Sequence, residues 1–509
     1  MTTLIIGLLI LIVGGALYGR LCEKVFGPDD RKTPAYTKED KVDYVPMNKW
    51  KNSLVNLLNI AGTGPILGPI QGILFGPIAF ITIPIGCVVG GAMHDYFSGM
   101  ICAREGGIQM PEMIRRSHSK VVYWFFTVFI ALTLFLCGTV FIYTPGDIAA
   151  TQLFGFKGTA DDPSTWIIYG VIFIYYLIAT VLPIDKIIGK IYPIFGGVLI
   201  LSAIGIFIML FVKGVPMVNL WDKWELGGFD FASYFESQHF IPTFFVTVAC
   251  GILSGFHSTQ TALISRTIQS EKHGRMTFYN MMILEGFIAL IWAAATMAMI
   301  GYGADKSGIT MQMTSEGWGY FQMIGGELTR ISPTSVVGVV CKNLLGSFGG
   351  LIAVIGVIVL PISTGDTALR ALRLTIAETF HIRQKSTLHR MMLAIPLFAA
   401  VAGLLIWAKN DANGFNVIWR YFGWANQTVS IFATSAIMIY LIRHGKAKFS
   451  WMPAIPLIFY SFVTSAYIFS SPFGFKLNMD LSYILAAVFT ASVLLVTILR
   501  ARKLTDTKA

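Results

Sequence analysis

Apolar runs of about 20 residues recur along the whole chain, separated by short polar connections. Runs of that length are what a helix needs to cross a bilayer. Runs and helix breakers together predict thirteen spans, near 3–19, 53–75, 77–103, 121–144, 166–183, 191–212, 241–264, 277–301, 350–376, 391–408, 416–442, 452–470 and 481–499. They are numbered 1 to 13 below. The first has no basic lead and no small-residue cleavage site, so it is expected to be retained. Two spans are interrupted by poor helix formers: span 2 by GTGPILGPIQG (Gly62–Gly72) and span 7 by GILSGFHSTQ (Gly251–Gln260). Glycine loses the most freedom when fixed in a helix, and proline removes a donor and clashes with the preceding turn. Residues Gly62–Gly68 and Gly251–His257 are therefore predicted to be non-helical and to face each other. Each break follows about ten residues of helix, or about 15 Å, which reaches the middle of a ~30 Å hydrocarbon core.

Charge sets the direction. Of the 38 Lys and Arg, 27 fall in alternate connections and the C-terminus, and Arg370 and Arg373 at the end of span 9 make 29, which places the N-terminus outside and the C-terminus in the cytoplasm. The two breaks then lie at equal depth on helices of opposite direction, five spans apart. That pattern predicts an all-α membrane protein with a LeuT-like five-plus-five inverted repeat. Residues 53–212 form the first repeat and 241–442 the second. Span 1 is an additional N-terminal helix and 452–499 two additional C-terminal ones, all in one transmembrane domain, 1–509. Non-helical backbone is tolerated at membrane depth only where it is buried in protein or lines a cavity. Unwound carbonyls can hold a cation, and half-helix N-termini favour an anionic group. The competing reading is that small residues only kink helices or let them pack closely.

Composition narrows the class. Of 509 residues, 55% are hydrophobic and 13% charged, which excludes a soluble domain. The net charge of +11 follows the topology, so no nucleic-acid partner is expected. Cys22, Cys87, Cys102, Cys137, Cys250 and Cys341 lie in or beside apolar runs without metal-ligand spacing, and they read as buried free thiols. No P-loop is present, so ATP is not the direct driver, and no cofactor is expected beyond a coupling ion, H⁺ or Na⁺. A channel lacks its ring of like charges. An intramembrane hydrolase would need Asp95 and Asp366 as an acid pair, but no HExxH motif occurs and no enzyme is expected.

Polar groups inside spans are functional candidates, each with a structural rival. Ala61, Gly62, Thr63, Gly64 and Pro65 form the first break. At the second, Gly255 precedes His257, Ser258, Thr259 and Gln260. His257 suits a proton or a substrate carboxylate; otherwise it satisfies loose backbone. In span 9, LPISTGDTALRALRL offers the Ser363 and Thr364 hydroxyls as cation ligands, with carbonyls from around Ala61. Asp366 is a proton carrier or a partner of Arg370 one turn on. His94 and Asp95 in span 3 mark a gate or proton path, or an end salt bridge. Glu285, near mid-depth in span 8, is expected to have a hydroxyl partner. Asn426 and Gln427 in span 11 are candidate substrate contacts, while Arg420 either serves the site or snorkels to the interface. The stretch Ser335–Ser347 is a re-entrant lid or an interfacial helix.

In IAGTGPILGPI, GGAMHDYFSGM, LSGFHSTQTALISRTIQSE, LPISTGDTALRALRL and RYFGWANQ, the chain resembles the carbon starvation protein A (CstA) family. The motifs stand in the family's order and run from about residue 40 to 445. The resemblance implies a multi-pass inner-membrane permease of the amino acid–polyamine–organocation superfamily, induced when carbon runs short. Members are associated with peptide uptake or with proton-coupled pyruvate uptake. The expected function is therefore an ion-coupled symporter for a small carboxylate-bearing nutrient, the alternative being an amino acid or other organic-anion permease. Many members carry a His-His pair ahead of the first break; here Val55 and Asn56 stand there, and the chain is shorter than the larger members. The oligomeric state is not legible.

Overall fold

The structure is a computed structural model that describes residues 1–506 except 182–187, 315–316, 385, 412–413 and 473. Among those residues, 11 helices are long and apolar enough to cross a membrane, and a bent pair, Lys49–Ala61 with Gly64–Phe75, makes up to 12. The bent pair is span 2. Span 7 is present as three short helices, Phe240–Thr247, Ala249–Ile252 and His257–Ile264, none of them long enough alone. Span 5 is the helix Pro163–Val181; the last two residues of its expected range lie outside the described ones.

Burial sorts the helices into a centre and a rim. The apolar windows of spans 8 (Glu271–Tyr302) and 11 (Val417–Arg443) are 83% buried, against 22% for span 13 (Met479–Thr505). Rim helices keep Leu9, Ile12, Val128, Leu201, Ile484 and Leu495 exposed, as a lipid-facing surface requires. Span 9 packs along span 4 (Lys120–Leu153) and span 6, and its foot bears on the first half of span 2.

Three expectations are corrected. The break in span 2 is only Gly62 and Thr63, because Pro65 sits in the first turn of the next helix, where its missing N–H costs nothing. That helix continues past Pro69 to Gly72. The lid stretch is helical and runs into span 9 as a single element, Pro333–Thr379, bent at Gly346, whose φ is +71°. The fold is also not wholly helical. Before that element the chain forms an antiparallel three-stranded sheet, β1 (Thr310–Thr314), β2 (Gly317–Ile324) and β3 (Glu327–Ile331). Gly325 and Gly326, at φ +62° and +90°, close the β2–β3 hairpin between the paired Ile324 and Glu327. Two positive φ values in a two-residue hairpin loop are why both positions are glycine.

Candidate functional site

Asn48 caps the first half of span 2 by accepting from the Lys51 N–H (2.9 Å). The helix ends at Gly62, whose φ of +49° disfavours any side chain, and a Cβ there would lie 2.8 Å from the Phe141 ring. The Thr63 hydroxyl beside it is buried with no hydrogen-bond partner among the described residues. Beyond the break, Gly64, Gly68 and Gly72 form one face of the helix. A Cβ on them would meet Cys250 Cβ at 2.2 Å, the Thr247 carbonyl at 2.9 Å and Val248 Cγ1 at 2.1 Å. This stripe lets the second half of span 2 pack directly against the first half of span 7. A cavity of about 20 Å³, room for roughly one water, lies where Gly64, Cys250, Phe422 and Asn426 meet.

The break in span 7 is shorter than predicted, from Leu253 to Phe256. Span 11 holds it open. Asn426 Oδ1 accepts from the Phe256 N–H (2.7 Å) and the Ser254 hydroxyl (3.0 Å), and Gly255 lies so close to Asn426 and Ser430 that a Cβ would overlap their backbone. The Gln427 amide donates to the Phe245 carbonyl (3.3 Å), leaving Oε1 buried without a partner. Ser258 donates to Gly255 (2.6 Å) and Gln260 to Thr259 (3.0 Å), with the Gln260 Oε1 again unpartnered. Buried polar groups are normally satisfied. Among the described residues, several unsatisfied ones, including both side-chain polar atoms of Asn59, lie on the two broken spans, and others lie elsewhere in the interior.

Span 9 reaches the end of the first half of span 2. The Ser363 and Thr364 hydroxyls lie 3.1 and 2.7 Å from the Leu58 carbonyl, and 2.6 and 3.2 Å from that of Leu360. The carbonyl met is thus one turn before Ala61, at the last full helical turn. Gly365 allows Tyr176 to close in, with its hydroxyl within reach of the Phe141 (2.7 Å) and Pro361 (2.9 Å) carbonyls. Asp366 is fully buried. Arg370 reaches the connection before span 2, with Asp43 at 3.4 Å. Burial works to raise the Asp43 carboxyl, but the guanidiniums of Arg370, Arg373, Arg266 and Arg390 outweigh it and hold it below the usual carboxylate range.

A second polar group joins spans 3, 7 and 8. Asp95 lies 2.8 Å from His94 Nδ1 through one oxygen and 3.0 Å from His257 Nδ1 through the other. His257 Nε2 in turn lies 3.7 Å from Glu285 Oε2. All four side chains are without exposed surface. The hydroxyl expected beside Glu285 is not its partner: neither carboxyl oxygen has a hydrogen bond among the described residues. Sequence reasoning gave His257 a proton or a substrate carboxylate and did not connect it with Asp95 or Glu285, because periodicity does not say which spans touch. Asn59 was missed altogether. Arg420 is exposed, in keeping with a side chain that reaches for the interface. Asn56, at a position of the family's His-His pair, donates to the Thr277 carbonyl (2.7 Å), while Val55 is packed in the core.

Membrane transporters share this architecture. A mutant of the Eremococcus coleocola manganese transporter superposes with TM-score 0.59 over 91% of this chain and 99% of its own, at 10% identity. MhsT in complex with L-phenylalanine gives 0.52 over 89% and 99%, at 14%. A Na⁺-coupled sialic acid symporter gives 0.51 over 96% and 97%, at 13%. These likenesses define the class by fold: a membrane protein built as LeuT-like transporters are. Within it, the chain belongs to the carbon starvation protein CstA family, whose profile matches residues 1–152, 145–318 and 327–467. A membrane protein of Haemophilus influenzae is 38% identical over 328 residues, 57% of this chain and 88% of the relative. The Campylobacter jejuni protein named peptide transporter CstA is 24% identical, covering 88% and 77%, and the Escherichia coli one 22%, covering 84% and 74%. The chain is a multi-pass protein of the bacterial inner membrane.

Proposed function

We propose that this protein is a secondary symporter importing a small carboxylate-bearing nutrient, pyruvate or a short peptide, during carbon starvation. The observation that carries the reading is the meeting of two broken spans, with hydroxyls of a third on a carbonyl at the break. Relatives named peptide transporters support the substrate class. The repeats are 53–212 and 241–442, with the N-terminus outside. The substrate carboxylate faces the helix starts at Gly64 and His257, where the positive ends of the helix dipoles favour an anion. Gly62, Thr63, Pro65, Gly255, Ser258, Gln260 and Gln427 line its seat, and Asn426 holds the break that shapes it. Carbonyls of Leu58 to Ala61, with Ser363 and Thr364, offer hard oxygen ligands to a cation. Asp366 contributes negative charge there.

Counterflow in proteoliposomes tests the reading. Labelled pyruvate should exchange against unlabelled pyruvate, and competing di- and tripeptides reveal which substrate is preferred. No counterflow with either class would overturn it. Under an imposed sodium or pH gradient, Asp366→Asn should abolish uphill uptake and Ser363→Ala should weaken it. Parent-like accumulation by Asp366→Asn would make that carboxylate structural.

A further inference from the structure

Glu285 is a fully buried carboxyl neither of whose oxygens accepts a hydrogen bond from the described residues. An ionised carboxylate so placed loses its hydration and gains nothing in return, unless a proton or a cation accompanies it. The packing brings such a partner close by design of small residues. Gly91 in span 3 would clash with the Ile252 carbonyl if it bore a Cβ (2.3 Å), and Gly286 in span 8 would clash with Cys87 Sγ (2.6 Å). The first approach draws span 3 against the turn before the break in span 7, and the second draws span 8 against span 3. One turn beyond Gly91 stands Asp95, and beside Gly286 stands Glu285, so both carboxyls flank His257, on its two ring nitrogens.

We propose that Glu285 carries the coupling proton and exchanges it with His257, which relays it to Asp95. The inference rests on the transport reading above, and names the ion of that cycle. The Glu285–His257 separation of 3.7 Å is too long for a hydrogen bond, and closing it by about 1 Å makes one. In that contact the Glu285 O–H bond breaks with its electrons left on the carboxylate, and an Nε2–H bond forms on His257. The imidazolium lies between two carboxylates. Loss of its Nδ1 proton to Asp95 Oδ2 restores a neutral ring, and His94 Nδ1 stands 2.8 Å from the other Asp95 oxygen. Because His257 opens the second half of span 7, displacement of that half-helix makes or breaks the relay. The ionisable groups facing Glu285 among the described residues are His257 and Cys250 from span 7, and Asp95 and Cys87 from span 3. The relay is separate from the Ser363–Thr364 hydroxyls, so the two can be tested apart.

The experiment compares the parent with Glu285→Gln, which keeps the shape of a protonated carboxyl. For one proton per substrate anion, one pH unit supports about tenfold accumulation. Glu285→Gln should exchange substrate in counterflow within about twofold of the parent, yet show an accumulation ratio of 1 and no substrate-driven proton uptake by an internal pH dye. Parent-like accumulation by this variant overturns the proposal, and so does loss of both counterflow and accumulation in a monodisperse, folded variant. Should the variant not fold, dicyclohexylcarbodiimide on the parent decides, since it modifies protonated carboxyls in apolar surroundings. Label mapped to Glu285 and reduced at alkaline pH supports the assignment; label absent from Glu285 overturns it. A parent without counterflow would instead fail the transport reading, and uncoupling by Asp366→Asn alone would leave transport standing and remove Glu285 from it.

Discussion

The two broken spans solve one problem in different ways. Span 2 breaks over two residues, through a backbone angle that glycine alone adopts without strain, and its second half is fitted to its neighbour by a stripe of glycines. Span 7 breaks over four residues, and a side chain from elsewhere, Asn426, satisfies what the break exposes. The first break is thus written into its own residues, and the second depends on a third helix. Their feet differ too. Span 2 is tied to span 9 through the buried Asp43–Arg370 pair, and span 7 through Arg266 and Glu378 (2.7 Å), where Glu378 is 42% exposed.

Substitutions should separate the two designs. Gly64→Leu strikes the self-encoded break and has the largest expected effect: loss of uptake to background, with membrane insertion retained, because the side chain meets Cys250 at 2.2 Å. Uptake and yield measured together check it, and near-normal uptake would reduce the stripe to incidental packing. Asn426→Ala should act on the other break, leaving two donors unsatisfied at a cost of about 2–4 kcal/mol, seen as a lower Tm in detergent with weakened transport. A Tm equal to the parent's would mean that span 7 breaks without help from span 11.

The feet give the smallest effects and a pH signature. Asp43→Asn should cost about 1–2 kcal/mol near neutrality, and Glu378→Gln under about 1, since exposed pairs are weak. Asp43 has a depressed folded pKa, so its contribution is present above its unfolded value near 4 and lost as pH falls below that. The gap in Tm between parent and Asp43→Asn should therefore shrink in acid below about pH 4. A gap that instead widens there would mean the guanidiniums do not stabilise that carboxylate.

The spans were legible because a bilayer demands about 20 apolar residues for each crossing, whatever packs beside them. The positions of both breaks followed from glycine and proline, but their extents did not: Pro65 is harmless where it starts a helix, and Gly251 stays helical because Ala249–Ile252 adds one more turn. The sheet had its signal, alternation around Gly325–Gly326, which a search for spans passed over. Span 9 meeting span 2 was expected from the depth of Ser363 and Thr364, and depth was one turn too coarse to choose Leu58 over Ala61. Glu285 was misjudged for another reason. Its environment is set by Gly91 and Gly286, whose importance lies in what a Cβ would strike, and that is knowable only once the spans are assembled.

The Tyr320 hydroxyl on β2 donates to the Ile70 carbonyl (2.5 Å), in the half of span 2 beyond its break. The sheet is accordingly a handle fastened to a half-helix that is otherwise buried from reach. A binder raised against the sheet's accessible face grips that half-helix by proxy, and a fluorophore placed there reports its displacement without touching the transport path. Tyr320→Phe would cut the handle while leaving the sheet itself in place.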